Sequence, residues 1–148
     1  PGKLQPRKDI VKIMAAHNIA YAAQASPSHH LDLMRKVQKA ISLPGPKFIN
    51  ILSPCHRGWR SKADDAISIS RMAVNSCFWP LYEIENGKTR VTHIPKEKLR
   101  LADFLKMQGR FAHLFAPENA GMLEDAQRQV DMDWNTLLAM GTCQTGDV

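Results

Sequence analysis

The residues best suited to chemistry lie in one short stretch, Ser53-Pro54-Cys55-His56-Arg57-Gly58-Trp59-Arg60. It sets a thiol beside a histidine and two arginines, and nearby cations favour the thiolate, the form that ligates metals or attacks electrophiles. The residues alone leave two readings open. Cys55 is a functional thiol, or it packs as a small hydrophobe, as lone cysteines commonly do. Cys77 runs into Phe78-Trp79 and reads as packing, and Cys143 falls in the tail. None of the three cysteines forms a Cys-x-x-Cys pair, so spacing gives no self-contained zinc or iron–sulfur site. His29 and His30 are adjacent at a helix start and point about 100° apart, which argues against a shared metal and for a surface role. His17 falls on an apolar helix face and is expected in the core, which leaves His56 as the histidine in a plausible site. No glycine-rich phosphate loop, Ser-His-acid set or paired-carboxylate motif is present.

Certain elements must position that loop. Residues 47–53, KFINILS, read as the clearest buried strand of the chain, so Cys55 is expected just past its carboxyl end. Open α/β sheets place ligands there. A shorter apolar run, residues 19–24, reads as a second strand. Between them Ser26-Pro27 makes an N-cap with proline at the first helical position, and Leu33, Met34, Val37 and Ile41 form an apolar stripe. Two strands joined through a helix predict a parallel βαβ unit. Upstream, Pro6 suits a helix start, and Ile10, Ile13, Met14 and His17 recur on one face up to Asn18.

Downstream, a helix is expected over residues 63–76, with Ile67, Met72 and Val74 as core candidates. Asn86-Gly87 between residues 79–85 and 88–94 is a strong hairpin signal, because both central positions favour positive φ. Residues 100–108 read as a short helix burying Leu101, Phe104 and Leu105. Residues 117–140 read as a longer one burying Leu123, Ala126, Val130, Trp134, Leu137 and Leu138. These elements make one domain over residues 1–140, followed by a loose tail over 141–148.

The 148 residues are 44% hydrophobic and 23% charged, a globular balance that leaves no long apolar run for a membrane span. The net charge of +6 is dispersed and not interleaved with aromatic residues, so nucleic-acid binding is not expected. An odd cysteine count without an export signal points to a reducing cytoplasm. A chain beginning at Pro1 is expected to be a piece of a longer one.

Several stretches, in this order and spacing, carry a resemblance. They are Pro1-Gly2-Lys3, Arg7-Lys8-Asp9-Ile10-Val11, Ala15-Ala16-His17, Ala25-Ser26, Gly45-Pro46-Lys47-Phe48, Leu52-Ser53-Pro54-Cys55, Gly58-Trp59, Trp79-Pro80-Leu81-Tyr82-Glu83 and Phe104-Leu105-Lys106-Met107-Gln108-Gly109-Arg110-Phe111. Together they resemble the second half of the beta subunit of pyruvate:ferredoxin oxidoreductases, within the wider 2-oxoacid:ferredoxin oxidoreductase family. The resemblance implies the C-terminal part of a thiamine-diphosphate-binding α/β fold. The implied reaction is oxidative decarboxylation of pyruvate, with the acetyl group passed to coenzyme A and electrons passed through iron–sulfur clusters to ferredoxin. Alpha, gamma and delta subunits would be the partners.

In the family a 4Fe–4S cluster is held by a Cys-x-x-Cys pair, a third upstream cysteine, and a fourth in a Ser-Pro-Cys loop. Cys55 matches the fourth. The family's Gly-Asp-Gly…Asn motif for magnesium and the diphosphate has no counterpart in this sequence. Thiamine diphosphate, Mg2+ and the complete cluster would therefore need residues outside the chain, which would be inactive alone. Arg57 and Arg60 could offset the cluster's charge. A related enzyme for another 2-oxoacid and a non-catalytic basic binding module are the alternatives.

Overall fold

The structure, a computed structural model, describes residues 7–143. Its first strand, β1 (Tyr21–Ala25), is buried at every position. It pairs in parallel with β2 (Lys47–Ile51), from Tyr21↔Lys47 to Ala25↔Ile51. Helix α2 (His30–Ser42) makes the crossover, entered through a 3-10 turn at Pro27–His29 whose N-cap Ser26 accepts from the Ser28 N–H. The expected βαβ unit is present. On its other edge β1 pairs antiparallel with β3 (Tyr82–Glu85), which turns through Asn86 and Gly87, at φ 47° and 76°, into β4 (Lys88–Val91). These two left-handed positions are what the Asn-Gly signal requires. The sheet order is β2-β1-β3-β4-β5, where β5 (Thr142–Cys143) lies parallel to β4. Residues 142–143 of the expected loose tail are thus paired into the sheet, and residues 144–148 lie outside the described residues.

Helix α1 (Ile10–Ala15) starts later than Pro6 suggests, because the Asp9 carboxylate caps it by accepting from the Lys12 N–H. Pro6 itself lies outside the described residues. The covered face of α1 is that of Val11, at 0% exposure, whereas Ile10 and Ile13 are exposed, as is His17. The expected core histidine is therefore a surface one.

Helix α2 departs further. Its sheet-facing side carries Lys36 and Ala40, while Met34, Val37 and Ile41 of the expected stripe face outward with Leu31. Lys36 tolerates 1% exposure because its ammonium donates to the Gln24 carbonyl (2.8 Å), the Asp32 carboxylate (2.7 Å) and the Thr92 hydroxyl (2.8 Å). Three donors meet three acceptors, which is the condition for burying an ammonium. Strand β2 is also less covered than its composition suggests. It ends the sheet, and Lys47 and Ile51 are exposed.

The rest of the core follows expectation more closely. After the four-residue α3 (His56–Trp59), a 3-10 turn at Ala63–Asp65 leads into α4 (Ala66–Asn75), which buries Ile69, Ala73 and Val74 while Ile67 is exposed. Helix α5 (Leu101–Lys106) buries Leu101, Phe104 and Leu105, and α6 (Ala120–Met140) buries Val130, Trp134 and Leu137. Leu123, Ala126 and Leu138 pack half-buried against the same core. Among the described residues no helix is long and apolar enough to cross a membrane.

Candidate functional site

Cys55 lies beyond the carboxyl end of β2, exposed, as the N-cap of α3. The turn it opens is fixed by its own backbone. The Trp59 N–H donates to the Cys55 carbonyl at 2.8 Å, and the Gly58 N–H points at the Cys55 Sγ at 3.4 Å. Arg60 closes the turn in the left-handed region at φ 54°, with its N–H on the Arg57 carbonyl and the Ser61 N–H on the His56 carbonyl. His56, Arg57 and Arg60 are exposed around the sulfur's turn.

A second segment braces this turn from outside. A 3-10 stretch over Gly109–Phe115 follows α5, and the Gly109 N–H donates to the Arg60 carbonyl at 3.1 Å. The Arg110 guanidinium lies 4.4 Å from the centre of the Trp59 ring and 4.6 Å from that of Phe111. Its Nε and Nη2 both donate to the Gln108 Oε1, at 3.0 and 2.7 Å. Gln108, at 1% exposure, is itself held by donating its amide to the Phe104 carbonyl at 3.1 Å. Burial pulls the Arg110 guanidinium below its ordinary range. Spacing along the chain does not join Trp59 to Arg110. The only sequence signal was that both fall in stretches carrying the resemblance.

The Trp79-Pro80-Leu81-Tyr82-Glu83 stretch acquires a structural reason at each residue. The Trp79 Nε1 donates to the Ala25 carbonyl at 2.9 Å, where the Leu52 N–H also donates, tying the ends of β1 and β2 together. The Pro80 carbonyl accepts from the Gln24 amide, and Leu81 is fully buried. The Tyr82 hydroxyl donates to Asp9 at 2.7 Å, the same carboxylate that caps α1. Glu83, at 3% exposure, accepts from the Tyr21 hydroxyl (2.6 Å), Lys39 (2.7 Å) and Arg90 Nε (2.9 Å). Burial alone would push this carboxyl up, but the bonds from Lys39, Tyr21 and Arg90 outweigh it and hold it below the ordinary range.

Of the other sites, Cys77 and His30 follow expectation and His29 departs from it. Cys77 is buried and left-handed at φ 58°, and burial pushes its thiol up to about 11, as suits a packing residue. The side chain of Cys143 lies outside the described residues. His30 is exposed as expected, but His29 is half-buried, its ring 4.4 Å from that of His93. Burial, with the neighbouring His93, lowers His29 to about 4. His93 is lowered too, again chiefly by burial, and its Nε2 finds no hydrogen-bond partner among the described residues. A cavity of about 430 Å3 opens beside Gln24 and Asn50, near the carboxyl ends of β1 and β2, and is bounded by Arg7, Asp9, Phe78 and Tyr82. Cys55 does not line it.

The turn offers one thiolate, Cys55, that could hold a metal. Cys55 offers an accessible sulfur with a backbone N–H directed at it, an arrangement that favours negative charge on sulfur. Among the described residues no three His, Cys, Asp or Glu side chains gather as a metal site.

The parallel βαβ unit, the hairpin and the C-terminal helices define an α/β layer consistent with part of a thiamine-diphosphate-type fold. No family model matches the chain. Curated relatives do. The pyruvate synthase subunit PorB of Thermotoga maritima is 44% identical over 141 residues, covering 95% of this chain and 44% of that protein. PorB of Methanocaldococcus jannaschii is 45% identical over 130 residues, 88% of this chain and 42% of that protein. The ketoisovalerate oxidoreductase subunit VorB of Pyrococcus horikoshii is 39% identical over 133 residues, again 88% and 42%. The chain spans less than half the length of these relatives. It belongs to the beta-subunit family of the 2-oxoacid:ferredoxin oxidoreductases.

Proposed function

We propose that the chain is the part of a pyruvate:ferredoxin oxidoreductase beta subunit that carries one thiolate of a 4Fe–4S cluster, Cys55. The observation that supports this most directly is an accessible thiol, braced at a strand end, within a chain 44% identical to a pyruvate synthase subunit over 95% of its length. In this reading the other three ligands, thiamine diphosphate and Mg2+ belong to residues outside the chain. Thiamine diphosphate would supply the decarboxylation chemistry when bound, and Cys55 would hold one iron of the cluster that would pass electrons to ferredoxin. Coenzyme A and the alpha, gamma and delta subunits complete the enzyme, and the 148 residues alone are inactive. Four-thiolate ligation is the ordinary mode for such clusters.

The test is the complete subunit, with its upstream segment, assembled in its complex. Cys55→Ala should lower bound iron and abolish the cluster's electron paramagnetic resonance signal. A full iron complement in that variant would remove the proposal. The VorB relatives support a second reading, a subunit acting on another 2-oxoacid. Comparing kcat/KM for pyruvate and for ketoisovalerate in the assembled enzyme decides between them.

A further inference from the structure

Helix α2 runs from the carboxyl end of β1 back to the amino end of β2, and its contacts fix which way it is rolled. The Lys39 ammonium reaches the Glu83 and Glu85 carboxylates of β3, at 2.7 and 2.9 Å, so that flank of the helix faces β3. Residues advance about 100° each around a helix, which places Met34, Val37 and Ile41 roughly 140–160° round from Lys39. Because β2 and β3 lie on opposite sides of β1, those three side chains overhang the edge of the sheet at β2. All three are exposed, Ile41 at 76%. Strand β2 is the last of the sheet among the described residues. The Leu52 N–H donates to the Ala25 carbonyl at 3.1 Å, and main-chain groups alternate in direction along a strand, so Asn50 and Phe48 also turn theirs to β1. The N–H and carbonyl groups of Ile49 and Ile51 therefore point off the sheet. After Lys47 the run Phe48-Ile49-Asn50-Ile51 has neither the charge nor the proline that commonly guards a strand edge.

An unpaired strand edge with an apolar helix flank above it calls for one kind of occupant, a strand with a helix attached, which is how an α/β layer continues. The chain spans 44% and 42% of the lengths of the two PorB relatives, so more than half of a subunit of their size lies outside these residues. We propose that the remainder of the same subunit docks here, adding a strand to β2 at Ile49 and Ile51 and laying a helix against Met34, Val37 and Ile41. This docking takes the chain as part of a longer subunit, as proposed above, and makes no use of Cys55. Main-chain bonds hold the added strand, and the flank of α2 supplies the apolar area that a strand edge alone lacks. In the 148 residues by themselves Ile41 stands in water; the cover belongs to the complete polypeptide.

The experiment uses the complete subunit, by itself and in its assembled complex. Val37→Cys and Ile41→Cys are labelled with a maleimide and read by peptide mapping against the same protein in urea, which separates them from the native cysteines. In the isolated complete subunit both thiols should react at least about tenfold more slowly than in urea. Hydrogen exchange on the unsubstituted subunit is the second readout. The Ile49 and Ile51 amides should exchange about a hundredfold more slowly than exposed amides, in the range of Phe48 and Asn50. Should a cysteine variant fail to fold, the exchange measurement carries the test.

Thiols that react freely in the isolated subunit and are shielded only when the other subunits are added would put a partner subunit on this face and overturn the proposal. Shielding that appears only as the concentration rises, together with a dimer in sedimentation, would put a second copy there and overturn it equally. So would free labelling and fast exchange in both forms, which leave the face open. Iron content enters none of these readouts. Full iron in Cys55→Ala is a different failure, that of the cluster assignment, and leaves the docking face standing.

Discussion

Glu83→Gln tests the interior of the sheet most sharply. The carboxylate sits at 3% exposure between a fully buried tyrosine and two cations. Tyr21 uses Oε2, while Lys39 and Arg90 share Oε1. A glutamine has one acceptor oxygen and one donor group in their place. Tyr21, at 0% exposure, cannot turn to water, so it keeps the oxygen, and the amide NH2 is left facing two cations. Both cations keep partial access to solvent, at 29% and 35%, and Lys39 retains Glu85 at 2.9 Å.

Each ionic contact is therefore worth about 1 kcal/mol after screening, and the mismatched buried amide costs about 1 kcal/mol more. A total near 3 kcal/mol lies at the low end for breaking a buried ion pair. For a chain of this size it lowers Tm by roughly 6–12 °C. Urea unfolding followed by circular dichroism, with an unchanged m value, measures the difference.

The pH dependence supplies the sign. Glu83's carboxyl is held below its ordinary range in the fold, so the unfolded chain takes up the proton first as the pH falls. The stabilisation is complete above the unfolded value, about pH 4.3, and fades below it. The parent and variant should draw together as the pH falls below that value. A difference under 1 kcal/mol at pH 7, or one that stays constant down to pH 3, would refute the account.

Three further outcomes are expected. The His29–His93 pair is held neutral by burial, with His29 lowered to about 4, so stability is full above about pH 6.5 and declines as the pH falls toward 4. His29→Gln should flatten the urea midpoint between pH 7.5 and 5, and an unaltered slope would count against the pair. Ile41→Lys on the outward side of α2, at 76% exposure, should change stability by no more than about 0.5 kcal/mol, whereas a core isoleucine would cost several times that. Iodoacetamide at pH 8 should label Cys55 and spare Cys77, whose thiol burial pushes up to about 11, until urea is added; peptide mapping distinguishes the two.

The parts of the fold legible in the sequence are those in which a local rule leaves one answer. Asn86-Gly87 permits little but a tight hairpin, and Ser26-Pro27 caps a helical entry between two apolar runs. Leu101, Phe104 and Leu105, like Val130, Trp134 and Leu137, are apolar on one side and polar on the other, so periodicity and burial agree. The place of Cys55 just past a strand's carboxyl end was legible for the same kind of reason. Its brace was not. Arg110 and Trp59 lie on different elements, and nothing in the periodicity of either says that a guanidinium will lie on a ring from the other.

Helix α2 shows where pattern reading stops for a physical reason. Periodicity reports that Met34, Val37 and Ile41 align, and that much holds, but alignment does not say which neighbour covers them. The side of α2 turned to the sheet needs small or well-paired residues, because β1 brings Ala23 and Ala25 to full burial beneath a closely packed layer. Ala40 satisfies that demand by size. Lys36 satisfies it by finding Gln24, Asp32 and Thr92 for its three donors, after which its four methylenes pack like any aliphatic chain. Asp32 and Lys36 at i, i+4 were the visible trace of this arrangement, and on charge alone they read as an ordinary solvated pair. A lysine can thus occupy the covered side and a stripe of aliphatic residues the open one, because burial is decided by whether each polar group finds partners as much as by hydropathy.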